Sequence, residues 1–421
     1  GWERFLQFLA ALGVDRENSG DVQNMAWLWY EIPKAYRAID AEMAAGGPDL
    51  VIYNHLMVSL GVAVWRMYGV RTIFANLGLE FHFAPRAEDV FNYRTLTSFD
   101  NFVIKPLIGC APLQEMPEKQ FKALYNSPDR LLGTTKLLRK VMSPEDQEVA
   151  KDWKFTGFWV FDEGKQLEDA KSSGGPEVRA RLEEFLGGGP APVYLGWGSM
   201  PVTPQLIEIC LKALRNLGLR AVVVQGWSMF THKALVALAG SAPEQWEGVC
   251  EYAAEHVLFL SKAPHEWLFP RCACTVHHGG AGTTAAALRA GVPTVVVPLG
   301  YDQPIHGEWV EKLGVGVHTR SYKELEAPEF EEALRRATSD TEMRGKAAHV
   351  AKTLKSEPGV SGAVAYVSRV LRDDVHSGAA KERWNSEQRE REDKERMRAE
   401  QVRQRAEKRQ QQKSPQADGV R

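Results

Sequence analysis

The second half of the chain alternates short apolar segments with helical ones, and this alternation restricts the fold more than any other feature. Strand-like segments are found at Pro192–Trp197, Ala221–Gln225, Val257–Leu260, Cys274–His277 and Thr294–Pro298. Helical patterns lie between or after them, at Gln205–Leu217, His265–Phe269, Thr283–Ala290 and Ile305–Leu313. Strands that alternate with helices favour a parallel sheet with right-handed crossovers, so the pattern predicts a doubly wound α/β domain.

Four glycine-containing turns follow these strands. They are Gly196-Trp197-Gly198-Ser199, Gly226-Trp227-Ser228, His277 to Gly282, and Pro298 to Gln303. The carboxyl ends of parallel strands meet at one edge of a sheet, and ligands of such sheets bind there. We therefore expect all four turns to lie on one rim.

The stretch His277-His278-Gly279-Gly280-Ala281-Gly282-Thr283-Thr284 has the composition of an anion site. Small residues let a ligand approach the backbone, and free amides at a helix start attract negative charge, so a diphosphate fits. Tight packing of helix on sheet is the structural alternative, but the two adjacent histidines favour binding. The stretch matches neither GxGxxG nor the phosphate loop ending in GK[ST], which argues against a dinucleotide dehydrogenase and a P-loop NTPase.

Asp302-Gln303 ends the next turn and points to the same rim. A carboxylate beside a carboxamide offers directional acceptors and donors for sugar hydroxyls. A turn pair in which Asp302 caps the following helix is the alternative.

The first half and the ends of the chain are organised differently. Leu50–Tyr53, a helix from Val58 to Met67 and Thr72–Ala75 form one βαβ unit. Phe155–Phe161 reads as a short aromatic strand, and Asp162–Pro176 has linker chemistry. The predicted domains are residues 1–165, a linker and lead-in helix at 166–190, a second domain at 191–360, a helix at 361–372 that crosses back to the first domain, and a charged tail at 373–421.

The tail is expected to be helical or disordered. Residues 378–421 carry 13 Lys and Arg against 9 Asp and Glu, with almost no apolar side chains. Acidic residues interleave with the basic ones, which disfavours a nucleic-acid arm. We expect deletion of this segment to leave folding unchanged.

Composition excludes several classes of protein. The net charge is −2, so the whole molecule offers no attraction to nucleic acid. The five Cys are odd in number and mostly isolated, and Cys272-Ala-Cys274 lacks the partners of a zinc site, so we expect a reducing, cytoplasmic location and no metal.

The motifs PVYLGWGSM, VVVQGWS, APHEWLFPRCACTVHHGGAGTTAAALRAGVPTVVVP and YDQPIHGEWVEKLGVGV, between Pro192 and Val317, resemble one family. They are similar to the sugar-donor half of the sterol 3-beta-glucosyltransferases, GT-B enzymes of glycosyltransferase family 1. Residues before Pro192 resemble that family only loosely, mainly at Phe155 to Trp159 and Glu177 to Leu186. The implied fold is α/β, GT-B, with two doubly wound Rossmann-like domains, the N-terminal one apparently truncated, plus a charged C-terminal tail.

The resemblance implies roles for individual residues. The diphosphate would be bound by Ser199, His278, Gly280, Ala281, Gly282 and Thr283. The glucose would be held by Asp302 and Gln303, and the uracil framed by Trp227, Ala263, Pro264 and His265. For Trp227 a core position is a strong alternative.

No Asp-x-Asp motif of the metal-dependent transferases lies near these turns. We therefore expect backbone amides, a helix dipole and an imidazole to stabilise the leaving diphosphate in place of a metal ion. No cofactor is implied besides the donor substrate, UDP-glucose.

The general base should come from the first domain. The family's base lies in the first strand-to-helix loop, whereas this chain opens at Gly1 inside a helix-like segment. The candidates among the residues present are His55, Glu80, His82 and Asp100, of which we select His82 and Asp100. We expect a truncated first domain with poor transfer.

The leading interpretation is inverting transfer of glucose from UDP-glucose to the hydroxyl of a sterol or similar lipophilic acceptor. Such an acceptor is compatible with peripheral contact between the protein and a membrane. One alternative is a family 1 transferase acting on another lipid or natural product. The other is a catalytically impaired nucleotide-sugar-binding protein.

Overall fold

The computed structural model describes residues 34–35, 37–54, 57–77, 130–161, 163–226, 230–300 and 302–413. The strands are β1 Leu50–Tyr53, β2 Arg71–Asn76, β3 Arg130–Leu132, β4 Lys154–Phe155, β5 Val193–Gly196, β6 Ala221–Val224, β7 Val257–Leu260, β8 Cys274–His277, β9 Thr294–Val296 and β10 Gly316–His318. The α-helices are α1 Val58–Tyr68, α2 Pro144–Val149, α3 Glu163–Glu168, α4 Ala170–Ser173, α5 Gly175–Gly187, α6 Pro204–Leu217, α7 His232–Ser241, α8 Val249–His256, α9 His265–Leu268, α10 Ala281–Ala290, α11 Gln303–Lys312, α12 Ala327–Ser339, α13 Thr341–Lys355, α14 Val360–Val370 and α15 Ala379–Lys413. Short 3₁₀ segments occupy Lys136–Val141, Pro243–Trp246 and Phe269–Arg271, and a π-helical turn occupies Leu371–Val375.

The chain divides into two compact units. The described part of the first unit comprises residues 34–74 and 365–413, and that of the second comprises 75–77 and 130–364. Residues 130–161 thus belong to the same unit as the sheet that follows them. The domain boundary at 165 stays a prediction.

The second unit is built on a six-stranded parallel sheet. Its strand order is β10-β9-β8-β5-β6-β7, and the register places Val193 opposite both Cys274 and Ala221. Every residue of β5, β6, β8 and β9 is buried, so the sheet is covered on both faces. Leu195 lies in a core with α6 and α12, whereas its neighbour Tyr194 faces a second core with α9 and α10. The doubly wound prediction is confirmed.

The predicted strands and helices of this unit match the observed ones to within a few residues. The unpredicted strands are β3 and β10, and the unpredicted helices include α7, α8, α12 and α13. The prediction of an aromatic strand over Phe155–Phe161 is wrong beyond Phe155, because Gly157 adopts φ +89° and the chain leaves the strand direction. The expected linker at 162–176 instead carries the helices α3 and α4.

The first unit contains the predicted βαβ element. β1 and β2 pair in parallel, with Tyr53 opposite Phe74, and α1 connects them before ending at Gly69, which has φ +69°. Within the described residues, no helix combines the length and the apolar character needed to cross a membrane.

Residues 379–413 of the charged tail form the helix α15, and the first turns of this helix pack. The indole of Trp384 covers Gly69, Ala380 is buried, and the Trp65 Nε1 donates to Glu387 Oε2 at 2.9 Å. Asp374, just before α15, pairs with Arg71 at 2.7 Å. The expectation that residues 378–421 can be deleted without effect on folding assumed that this segment buries no apolar surface, and the start of α15 does bury some. Trp384 supplies the apolar contact there, whereas Met397 and Val402 further along α15 are exposed.

Candidate functional site

The turns after β5 and β6 meet through their backbones at the carboxyl edge of the large sheet. Gly198 has φ +57° and Gly226 has φ +52°. A Cβ on Gly226 would overlap the carbonyl oxygen of Gly198, so only glycine permits this approach. Ser199, one residue further along, is exposed on the same turn.

His278 occupies the centre of the rim. Its ring lies between Gly198 and Gly280: a Cβ on Gly198 would come within 3.0 Å of the ring, and one on Gly280 would overlap it. The side chain is 8% exposed, and its Nδ1 has no hydrogen-bond partner among the residues that the structure describes. Burial lowers the pKa of His278 to about 4, although a hydrogen bond with the backbone of Gly196 raises this pKa in part. The site thus contains a neutral imidazole with an unsatisfied nitrogen.

The start of α10 lies directly after His278. Gly280 is the N-cap and carries no capping side chain, and the first backbone amide bonded within the helix is that of Thr284, which donates to Gly280 O at 2.9 Å. The amides of Ala281, Gly282 and Thr283 precede it and have no partner within the helix. Gly282 is exposed, and a Cβ there would meet open space. This helix start has the free amides and the access that an anion requires.

His277 faces the interior. It is fully buried, and its Nδ1 accepts the backbone N–H of Gly279 at 3.0 Å. Its Nε2 lies 3.0 Å from Thr294 Oγ1, and burial lowers the pKa of His277 well below its ordinary value. The two adjacent histidines therefore have different environments, and only His278 is placed toward the turn of β5.

The turn Ala263-Pro264-His265 lies after β7, and its histidine is tightly held. His265 Nε2 is 3.1 Å from the hydroxyl of Tyr194, and the ring stacks on Phe269 with centroids 4.5 Å apart. Burial lowers the pKa of His265 to about 4, with a smaller contribution from His278. Because its histidine is held in place and is neutral, the turn offers a fixed backbone edge to which a planar heterocyclic ring could hydrogen-bond.

Asp302 and Gln303 begin α11 with distinct roles. The Asp302 side chain makes no capping hydrogen bond to the helix, so the alternative of a simple helix cap is not observed. Its Oδ2 lies 3.8 Å from Nδ1 of His306. The Gln303 side chain is 3% exposed, and its Oε1 accepts the amides of Leu299 at 2.7 Å and Gly300 at 3.3 Å.

Two further residues shape the rim. His306 follows the predicted sugar-binding pair on the same helix, and the sequence left open whether it lines the cleft or packs. It is 1% exposed, and its Nδ1 lies 2.5 Å from Gly279 O. Trp197 was not singled out by the sequence. It is fully buried, and its Nε1 has no hydrogen-bond partner among the described residues.

Five residues of the prediction lie outside the described ranges, and these are Trp227, His55, Glu80, His82 and Asp100. Among the residues that are described, no three or more His, Cys, Asp and Glu gather closely enough to hold a metal ion.

Comparison with known proteins identifies the chain's relatives. Residues 248–368 match the family model for the erythromycin biosynthesis protein CIII-like C-terminal domain. The chain is 37% identical over 190 residues to sterol 3-beta-glucosyltransferase UGT80A2 of Arabidopsis thaliana, covering 45% of this chain and 27% of that protein. It is 32% identical over 301 residues to a sterol 3-beta-glucosyltransferase of Yarrowia lipolytica, covering 67% of this chain and 18% of that protein. The chain thus spans less than a third of the length of either relative.

Solved structures share the fold at low sequence identity. The glycosyltransferase of kitacinnamycin superposes with a TM-score of 0.60 at 18% identity, covering 85% of this chain and 83% of that one. Os79 from O. sativa, solved in complex with UDP, gives a TM-score of 0.54 at 17% identity, covering 86% of each chain. The chain therefore has the GT-B fold and is a relative of the sterol 3-beta-glucosyltransferases.

Proposed function

We propose that this protein is a UDP-glycosyltransferase that transfers glucose from UDP-glucose, with inversion, to the hydroxyl of a sterol or similar lipid. The observation that carries the proposal is the position of His278. A buried imidazole, whose Nδ1 has no hydrogen-bond partner among the described residues, lies beside the open N-terminus of α10. A diphosphate would satisfy both the imidazole and the amides.

The sugar donor would extend along the rim. The diphosphate would lie on the amides of Ala281, Gly282 and Thr283, with Ser199 exposed nearby. The uracil would lie against the turn at Ala263 to His265, with Trp227 as its stacking partner. The glucose would contact Asp302 and the side-chain nitrogen of Gln303, because the side-chain oxygen of Gln303 already accepts two backbone N–H groups.

The proposed chemistry needs little more from these residues than charge stabilisation. As the bond from the anomeric carbon to the diphosphate breaks, negative charge develops on the leaving oxygen. Preorganised amides and the imidazole of His278 stabilise that charge without reorganising. The acceptor hydroxyl attacks from the opposite face of the sugar and loses its proton to a general base, for which His82 and Asp100 are our candidates.

The sterol acceptor is supported by the names of the sequence relatives. A second candidate, transfer to another lipid or natural product, is favoured by the match of residues 248–368 to a domain named for erythromycin biosynthesis. A sterol acceptor would also place the protein at the surface of a membrane from the cytoplasmic side. Sedimentation with vesicles containing and lacking sterol tests that contact.

Calorimetry with UDP and UDP-glucose, followed by assays of UDP release with and without sterol, tests the proposal. We expect binding of both nucleotides, and sterol-dependent UDP release with a sterol glucoside as product would support the transfer reaction even at a low rate. Absence of nucleotide binding would refute the proposal. Binding without release on any acceptor would support the impaired nucleotide-sugar-binding protein instead.

The Asp302→Ala variant tests the placement of the sugar. It should weaken UDP-glucose much more than UDP, because its proposed partners are glucose hydroxyls. Equal weakening of both ligands would make Asp302 a structural residue.

A further inference from the structure

We infer that His277 and His306 act together as positioning residues, clamping the backbone on both sides of Gly279 so that the diphosphate turn and the sugar-side helix α11 form one rigid unit. The inference rests on the proposed function, because it assigns these residues to the same site. Neither histidine is proposed to touch the ligand. Each acts through the backbone of Gly279.

Gly279 is held from both sides. Its N–H donates to Nδ1 of His277 at 3.0 Å, and its carbonyl oxygen lies 2.5 Å from Nδ1 of His306. The two peptide groups of this one residue thus connect β8, which carries His277, with α11, which carries His306. Gly279 comes directly before Gly280, the N-cap of α10, so its orientation fixes the first turn of that helix.

No residue other than glycine could serve as this junction. Gly279 has φ +91°, where a side chain is strained. A Cβ there would come within 2.9 Å of both Gln303 O and Val296 Cγ1. The turn is therefore pressed against the start of α11, where Asp302 and Gln303 are proposed to bind glucose.

The hydrogen-bond partners fix the protonation of both rings. A backbone N–H can only donate, so Nδ1 of His277 carries no proton, and the ring is the neutral tautomer with its proton on Nε2. That proton is donated to Thr294 Oγ1 at 3.0 Å, and the Thr294 hydroxyl in turn donates to Thr275 O at 3.2 Å. A carbonyl can only accept, so Nδ1 of His306 carries a proton. The low pKa of His277, caused by its burial, agrees with a neutral ring.

This pairing predicts different effects at the two histidines. Loss of the His306 bond frees α11 from the turn, which should weaken UDP-glucose more than UDP. Loss of the His277 bond loosens the turn itself, which should weaken both ligands alike. Asparagine offers a matched control at each position, because its side-chain oxygen or nitrogen can take the place of Nδ1 as acceptor or donor.

The test uses the full chain. In calorimetry, His306→Leu should weaken UDP-glucose about fivefold to tenfold, with a smaller effect on UDP, and His277→Leu should weaken both by about that factor. His306→Asn and His277→Asn should recover most of the loss. His349→Leu, on the exposed face of α13, serves as the control for histidine replacement. Asparagine variants that are no better than the leucine variants would overturn the inference.

A second measurement needs neither ligand nor variant. In ¹⁵N-histidine-labelled protein without ligand, the nitrogen shifts should show a proton on Nε2 alone for His277 and a proton on Nδ1 for His306. A protonated Nδ1 at His277, or a neutral Nε2–H tautomer at His306, would overturn the clamp even if UDP binds. Failure of the wild-type chain to bind UDP would refute the proposed function but leave this readout intact.

Discussion

His278 and His277 are neighbours in the sequence, yet one ring faces the rim and the other faces the core. Successive side chains at the end of a strand point to opposite sides, so alternation alone assigns the two histidines to different sides without saying which is which. The position of His278 in the family motif predicted the rim. The structure supplies the physical reason, since two glycines leave the space that the His278 ring fills.

Replacement of His278 tests its contact with phosphate. His278→Ala should weaken UDP by one to two decades, the effect of losing a hydrogen bond to a charged group worth about 1.5 to 3 kcal/mol. Because the pKa of His278 is about 4 in the free protein, a diphosphate that charges the ring would bind together with a proton. Calorimetry in buffers of different ionisation enthalpy measures both quantities. A loss below twofold would remove His278 from the site.

The buried histidines also predict a pH dependence of stability. The pKa values of His265 and His278 are lowered from 6.5 to about 4 in the folded state, so the unfolded state binds more protons between these values. The free energy of unfolding should therefore fall as pH drops from about 6.5 towards 4, by roughly 3 kcal/mol for each histidine at the lower limit.

Urea denaturation across this pH range measures the fall. His278→Asn should show a shallower pH dependence than the wild type, because it lacks one of the titrating groups. Parallel curves for the two proteins would contradict the assignment. The comparison of slopes is needed because Glu266 and Glu357, whose pKa values are raised by burial, act in the opposite direction.

At the start of α10, substitution of one glycine should change nucleotide affinity without lowering the stability of the fold. Gly282 has an ordinary backbone conformation and faces open space, so Gly282→Ala should leave stability unchanged or raise it by up to about 1 kcal/mol. The same methyl group would project where the diphosphate is proposed to lie, and UDP should bind at least tenfold more weakly.

Gly279→Ala is the matched comparison. It should destabilise the fold by more than about 2 kcal/mol, since φ is +91° and the backbone of Gln303 leaves no room. Thermal melts and UDP titrations of both variants check the pair. Unchanged UDP affinity in Gly282→Ala would move the diphosphate away from this helix start.

The helix α15 predicts a difference between two truncations. Deletion from Gly378 onward removes Trp384 and Glu387 and should cost at least about 2 kcal/mol of stability, because it uncovers α1. Truncation after Lys394 removes mainly exposed residues and should leave the melting temperature unchanged. Equal melting temperatures for the two truncated chains would show that the contact with α1 contributes nothing.

Apolar runs bounded by glycine made most of the sheet predictable, and the exceptions have physical causes. β10 has three residues, one of them Gly316, which is too short and too mixed to show a pattern. The segment after Phe155 is aromatic because Phe158 packs against Val296 and Leu288, not because it is extended. A short run of apolar residues is equally consistent with burial in a core and with a buried strand, so the pattern alone does not distinguish them.

The composition of the chain predicted a linker, but composition cannot show which distant segments of the chain pack together. Trp153 and Phe155 precede the linker, yet they pack in one cluster with Trp309 of α11. Long-range packing of this kind leaves no local signal. The second unit consequently includes residues that the sequence assigned to the first domain.

That packing predicts which piece of the chain can stand alone. A chain of residues 130–370 should fold and bind UDP, whereas residues 177–370 should melt at a lower temperature, because Trp309 and Val296 lose their aromatic neighbours. Circular dichroism melts and UDP calorimetry compare the two. If the shorter piece is as stable as the longer one, residues 130–161 are not part of its core.

The strand order also sets a sequence of events during synthesis. β5 pairs with β6, which follows it, and with β8, which leaves the ribosome only after β7. Until Cys274–His277 emerges, one edge of β5 has no neighbour, and closing that pair brings together segments far apart in the chain. His278 and Gly279 come directly after β8. The nascent chain therefore completes its central strand pair only a few residues before the proposed anion site emerges, and we expect nucleotide binding, where it occurs, to begin only after that pair has closed.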